Sequence, residues 1–291
     1  MKITKSKLNQ IIKEEVVKLL TENEDQQENE DKENAINILG LLDHEDPWHF
    51  AQGVQFYSLF KSDIEANAPT ENSQILEKLK GIDRFSYSEI QNVDFLSDLS
   101  DLNVTEQINL EGCESLENVD GLQGLTNLKS LDLSFCNSLQ NANGLEGLTN
   151  LTKLDLGGCT SLQNVDVLQG LTNLKILRLG EDTFTALQSR GALGVLKSLP
   201  NLTKLDLSDC SSLENIDGLK GFTNLTKLDL FGCSSLENVD GLKGCTSLTH
   251  LYLVECRSLP RKLRTRFITD SIGTAHEKFM KALNAFKGNQ P

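Results

Sequence analysis

Between Leu102 and Leu259 apolar and polar residues alternate in short bursts that recur at a fixed distance, and 38 of the 51 leucines fall there, so their clustering has a local structural cause. In the segment LTNLKSLDLSFCNSLQNANGLEG, which starts at Leu125, Leu131 and Leu133 alternate with Ser130, Asp132 and Ser134. A period of two puts the leucines on one side of a short strand and the polar residues on the other. Leu139, Ala142 and Leu145 follow in a stretch too short for a second strand pair, as do Leu236, Val239 and Leu242 further on. They predict a returning wall whose apolar side chains point inward. The segments starting at Leu102, Leu125, Leu148, Leu199 and Phe222 are each 23 residues long and nearly superimposable.

Within each block sits LxxLxLxxC, as Leu128, Leu131, Leu133, Cys136 and again as Leu225, Leu228, Leu230, Cys233, with Thr105 and Ile108 as substitutions in the first of six turns. One such block cannot bury its own apolar edge, so neighbours must stack into a solenoid with a continuous interior. The pattern resembles the leucine-rich repeat family over about Ile82 to Leu259. The resemblance implies an α/β fold: a right-handed solenoid with a parallel, concave β-sheet and helical caps at both ends. Asp120, Asp166, Asp217 and Asp240 each precede a Gly-Leu or Val-Leu step, where an acidic side chain is expected to cap a short helical turn.

Two irregularities interrupt the register. The turn from Leu171 runs 28 residues before Leu199, holds Asp182 where its neighbours hold Cys, and contains TALQSRGALGVLKSL, which predicts a helix. At the front, Gln91-Asn92-Val93-Asp94-Phe95-Leu96 matches the second half of a repeat without a clean strand before it, a degenerate first turn. A solenoid exposes a raw apolar cross-section at each end, so both ends need covers. Residues 35–81 are expected to form a helical N-terminal cap, with Asp46-Pro47 opening one helix and Thr70 a second that stops at Gly81. Residues 82–260 are the solenoid. Residues 261–291 are expected to form a helical C-terminal cap, since Ile268, Ile272, Ala275, Phe279, Leu283 and Phe286 recur on one helical face. This last stretch holds seven bases and two acids, a positive end in an acidic chain.

Residues 21–34, TENEDQQENEDKEN, carry no apolar residue and a large excess of acid, the composition of a disordered linker. Ahead of them, residues 1–20 read as a short amphipathic helix through Leu8, Ile11, Ile12, Val16, Leu19 and Leu20, a second docking segment on a tether. This N-terminus is similar to the opening MKxTKxxLxxIIKEE of many marine tailed-phage proteins, and Ile12-Lys13-Glu14 fits a head-protease cleavage pattern. That resemblance implies a bacteriophage virion or head-assembly component as the alternative to a free binding module.

The formal charge of −14 repels nucleic acid and anionic membrane surfaces wherever it is evenly spread, and neither a membrane span nor a secretory signal is expected. Cys113, Cys136, Cys159, Cys210, Cys233 and Cys256 all take one repeat position, so they form a structural ladder with parallel Cβ directions instead of a disulfide framework. In the leucine-rich repeat family this position holds a small inward side chain that hydrogen-bonds the backbone. A line of thiols cannot surround a zinc ion. Cys245 replaces a repeat leucine and is expected to be buried. His44, Glu45, Asp46 and His49 read as a polar turn, because Pro47 breaks any helical relation between the histidines. The sequons at Asn150, Asn201 and Asn224 are the repeat consensus itself. Neither a catalytic constellation nor a cofactor or metal site is expected.

Function must therefore reside on the exposed sheet face. Its consensus is Lys-Leu-Asp-Leu, and Asp132, Asp155, Asp206 and Asp229 with Lys153, Lys204 and Lys227 read as a solvated charge ladder. Ile176 and Arg178 depart from it in the long repeat, and Phe231, His250, Tyr252 and Val254 in the last two. Aromatic and arginine side chains on an exposed face are interface anchors. Packing against the C-terminal cap is the other reading of Tyr252 and Val254. The expected function is a non-enzymatic, cytoplasmic protein-protein interaction module.

Overall fold

The computed structural model describes residues 27–268 apart from 44–46, 68, 83–92, 101–104, 163–164, 190–192, 262 and 265. Among the described residues nine strands form one open sheet in chain order. They are β1 (Gly81–Ile82), β2 (Gln107–Asn109), β3 (Ser130–Asp132), β4 (Lys153–Leu156), β5 (Ile176–Leu179), β6 (Lys204–Asp206), β7 (Lys227–Asp229), β8 (His250–Tyr252) and β9 (Arg266–Ile268). β1 to β8 pair in parallel with repeat positions in register, so Leu131 stands beside Leu154 and Leu154 beside Leu177. The degenerate first turn contributes β1, two residues long, with Ile82 opposite Ile108. β9 runs antiparallel along β8.

The strand leucines and the apolar residues of the returning wall fill one continuous core: Leu131, Leu133, Leu139 and Leu145 are fully buried, as are Leu228, Leu230, Leu236 and Leu242. The wall is a stack of short 3₁₀ turns, among them Asp120–Leu122, Asn143–Leu145, Asp217–Leu219 and Asp240–Leu242. Gly144 has no room for a side chain there: a Cβ would lie 1.8 Å from the Val119 carbonyl oxygen.

The expectation that aspartates cap these turns is corrected. The N-caps are Val119, Ile216 and Val239, with no side-chain cap bond. The first N–H of each turn instead donates to an asparagine two residues upstream: Asp120 to Asn118, Asp217 to Asn215 and Asp240 to Asn238, at 3.2 Å each. An Asx turn reaches that N–H with less chain than an aspartate inside the turn would need. Asp217 and Asp240 face Lys220 and Lys243 at 3.0 and 3.7 Å.

At the front three helices, α1 (Gln27–Leu42), α2 (Pro47–Asn67) and α3 (Pro69–Lys80), bury Ile38, Leu42, Val54, Tyr57, Ile64, Ile75 and Leu79. The acidic stretch is therefore not a linker throughout; residues 21–26 lie outside the described residues. Its second half opens α1, where Asp31 is itself buried, because burial of Ala35 and Ile38 one and two turns on outweighs the charge of the first turns. Tyr57 donates to Asn72 at 2.6 Å, and Thr105 donates to the Leu79 carbonyl at 2.9 Å, tying the helices to the solenoid. Residues 1–20 and 269–291 lie outside the described residues, as do His44, Glu45 and Asp46; His49 lies in α2.

The long repeat holds two short helices instead of one, α4 (Glu181–Ser189) and α5 (Gly194–Lys197). α4 starts at Glu181, ahead of the predicted stretch, so Asp182 is exposed, while Thr183 is buried and donates to the Leu162 carbonyl at 3.1 Å. The reading of the C-terminal cap as helical from 261 is also corrected: Ile268, assigned to a helical face, lies on β9. An unpaired edge of β8 demands backbone partners, which a strand supplies and a helix does not.

Candidate protein-interaction surface

Three rows of side chains cross the solvent face of the sheet. The first is Ser130, Lys153, Ile176, Lys204, Lys227 and His250. The second is Asn109, Asp132, Asp155, Arg178, Asp206, Asp229 and Tyr252. The third lies where the strands exit, through Ser134, Gly157, Gly180, Ser208, Phe231 and Val254.

The acidic row is more than a solvated ladder. Each carboxylate is half-buried and turns back on its own exit loop, accepting the N–H two residues on: Ser134 to Asp132, Gly157 to Asp155 and Phe231 to Asp229 at 2.9 Å, and Ser208 to Asp206 at 3.0 Å. Asn109 accepts the Glu111 N–H in the same way at 2.8 Å. Burial pushes the carboxyls of Asp155 and Asp229 above the ordinary range, and these N–H donors counter part of the rise.

Arg178 replaces the aspartate at the centre of this row. Its guanidinium lies 3.9 Å from Asp155, 4.0 Å from Asp206 and 3.9 Å from Asp209. It folds across Gly157, whose missing side chain makes room for it. The residue thus offsets part of the charge of its three acidic neighbours, a positive charge at the centre of an acidic row. Ile176 is half-buried beside it.

The other four departures form a separate group two and three strands away, about 10 to 14 Å. Phe231 is 44% exposed, while His250, Tyr252 and Val254 are half-buried. Phe231 sits at the register of Val254 and not of Tyr252: the Gly232 N–H donates to the Val254 carbonyl and the Leu230 N–H to the Tyr252 carbonyl, both at 3.0 Å. Its ring therefore neighbours Tyr252 diagonally, one strand across and two residues along. His250 Nδ1 lies 2.9 Å from the Thr249 hydroxyl.

One residue of this face escaped the comparison of strand positions. Phe135, just before Cys136, is 48% exposed and holds φ 60°, where the equivalent Gly112, Gly158 and Gly232 have φ 71–74°. Its ring lies against Gly158. A repeat alignment extended past the strand to this glycine position would have found it.

Beneath the face, the repeat cysteines are buried and free. From Cys136 on, the repeat thiols donate to a carbonyl of the preceding turn, Cys159 to Leu133 at 3.1 Å, Cys233 to Leu207 at 3.2 Å and Cys256 to Leu230 at 3.0 Å. Next to the long repeat the contact stretches, Cys210 to Leu179 at 4.0 Å. Burial pushes Cys159 and Cys210 up to about 12 and Cys245 and Cys256 up to about 11. The sequon amides are equally engaged: Asn150 and Asn224 donate from Nδ2 to the carbonyls of Thr126 and Pro200 at 2.9 and 3.1 Å. Among the described residues no helix is long and apolar enough to cross a membrane.

Stacked one-strand turns with an LxxLxL core beneath a parallel sheet define a leucine-rich repeat protein. The family model described as Leucine Rich repeats (2 copies) matches residues 126–170, two turns of the solenoid. An internalin (InlF) from Listeria monocytogenes is similar at 21% identity over 64% of this chain and 48% of its own, with a TM-score of 0.45. The chain thus spans about half the length of that internalin. The leucine-rich repeat domain of the type III effector XCV3220 (XopL) is similar at 20% identity over 74% of this chain and 91% of that one, TM-score 0.41. The functional domain of InlJ from Listeria monocytogenes, which includes a cysteine ladder, is similar at 21% identity over 62% of this chain and 37% of that one, TM-score 0.31. Comparison with curated proteins gave no match.

Proposed function

We propose that this chain is a non-enzymatic protein-binding module that receives a protein partner on the solvent face of its sheet, at the end formed by β7 and β8. One observation carries the reading: Phe231, at a site where four other repeats place Ser or Gly, leaves its ring 44% exposed beside half-buried His250, Tyr252 and Val254. Aromatic rings that a fold does not need, held on rigid strands, are what interface hot spots are made of. Seven free thiols suit a reducing compartment such as the cytoplasm. The test pairs Phe231→Gly with Tyr252→Asp, which restores the repeat consensus without touching the leucine core. The double variant should fold and lose about thirtyfold or more in affinity for a partner captured with the parent chain. Undiminished binding would remove this end of the sheet from consideration.

A further inference from the structure

The lip where the strands exit carries more than the β7–β8 group. Phe135 and Phe231 are the two large apolar side chains that the described solenoid leaves widely exposed, at 48% and 44%. Both stand on this lip, Phe135 after β3 and Phe231 after β7, four strand steps or roughly 19 Å apart. Between them the lip is low, with Ser134, Gly180 and Ser208 at the exit positions and Arg178 lying across Gly157. Asp132, Asp155, Asp206, Asp209 and Asp229 line the same stretch, and Arg178 is the one base among these row and lip residues. The Lys row lies two residues back along the strands, away from the lip.

Neither ring is placed there by folding. Phe135 occupies a left-handed position that glycine fills in three other turns, and Phe231 one that Ser or Gly fills in four. Yet both are held still, Phe135 against Gly158 and the Phe231 backbone by the Asp229 carboxylate at 2.9 Å. Preorganised apolar posts at the two ends of an acidic trough select a complementary pattern of charge and apolar residues.

We infer that this lip binds an extended cationic segment of the partner protein, with one apolar side chain on each phenylalanine and lysine or arginine side chains over the aspartates between. An extended chain advances about 3.3 Å per residue and presents alternate residues to one side. Apolar residues six apart, with cations two and four after the first, match the roughly 19 Å span. The inference rests on the protein-binding reading and names the chemistry of the segment that is bound.

The test uses the full chain and a fluorescein-labelled peptide of serine with two leucines six apart and lysines at the two alternate positions between them, followed by fluorescence anisotropy. The peptide should bind, weakening as salt rises from about 50 to about 300 mM. Phe135→Gly and Phe231→Ser should each weaken it about tenfold or more while melting cooperatively. A peptide with glutamates for the lysines should not bind. Absence of binding by the lysine peptide, equal binding by the glutamate peptide, or indifference to both phenylalanine variants would each overturn the trough. Retained peptide binding in Phe135→Gly with loss of the captured partner in Tyr252→Asp would also overturn it, and would leave the protein-binding reading standing.

Discussion

A single residue can declare a function by costing stability. Phe135 at φ 60° bears the steric penalty of the left-handed region, about 1 to 2 kcal/mol for a residue with a Cβ. Phe135→Gly should therefore stabilise the chain by about 1 kcal/mol, less whatever the ring gains on Gly158, and raise the thermal midpoint by about 2 to 4 °C. Calorimetry checks this, and a lowered midpoint would mean that the ring contributes to the fold. The neighbouring Gly158 gives the converse. A Cβ there would lie 2.7 Å from Phe135 Cδ1 at φ 71°, so Gly158→Ala should cost about 1 to 2 kcal/mol. Part of that cost should vanish in the Phe135→Gly background, and a double-mutant cycle isolates the steric part.

At the scale of a strand and its exit loop, the aspartate row is a backbone device before it is a charge. Asn109 shows that the bond to the exit N–H needs no charge. Asp155→Asn and Asp229→Asn should keep the loop and be neutral or slightly stabilising at pH 7, whereas Asp229→Ala should cost about 1 kcal/mol. The sign of the pH dependence follows from burial. Both carboxyls have raised folded-state values, so their contribution is full below the unfolded value of about 3.9 and is lost as pH rises through the folded value. Denaturant titrations of Asp155→Asn should show less of this loss between pH 4 and neutrality than the parent. The solenoid itself was legible because a strict period fixes which leucines share an interior, and Leu131, Leu154 and Leu177 are in register. The asparagine caps and the aspartate bonds were not legible, since Asn and Asp at adjacent polar positions carry the same pattern whichever of them accepts the N–H. Arg178 was legible as a departure but not as a neutraliser. That role depends on Asp209, which reaches it from outside the strand rows. β9 carries no repeat signal, because an edge strand needs only backbone to pair.

The whole molecule behaves as a stack whose ends and interior are coupled, since each turn is stabilised by its neighbours. The burial of Asp31, Ala35, Ile38 and Leu42 makes α1 part of the body. Removing residues 1–42 should accordingly lower the thermal midpoint by more than about 5 °C, because re-exposing Ile38, Leu42 and the surfaces they cover costs about 1.5 to 3 kcal/mol per large side chain. The thiols couple the interior to pH in the opposite range from the carboxyls. Six of them, Cys136, Cys159, Cys210, Cys233, Cys245 and Cys256, are raised by burial, which penalises the thiolate in the folded chain. In the unfolded chain they ionise near the ordinary value of about 8.5. Their stabilising contribution is full below that value and is lost as pH rises through the folded values, at up to about 1.4 kcal/mol per thiol per pH unit. The protein should unfold cooperatively between about pH 9 and 11, before any ladder thiol ionises in place. Below that range all seven cysteines should react slowly with a thiol reagent, and above it all seven should react together as the helical and sheet circular dichroism disappears. Rapid labelling of four or more at pH 7 in the folded protein, or stepwise labelling of single cysteines with the dichroism intact, would show that the thiols are reached without opening the stack.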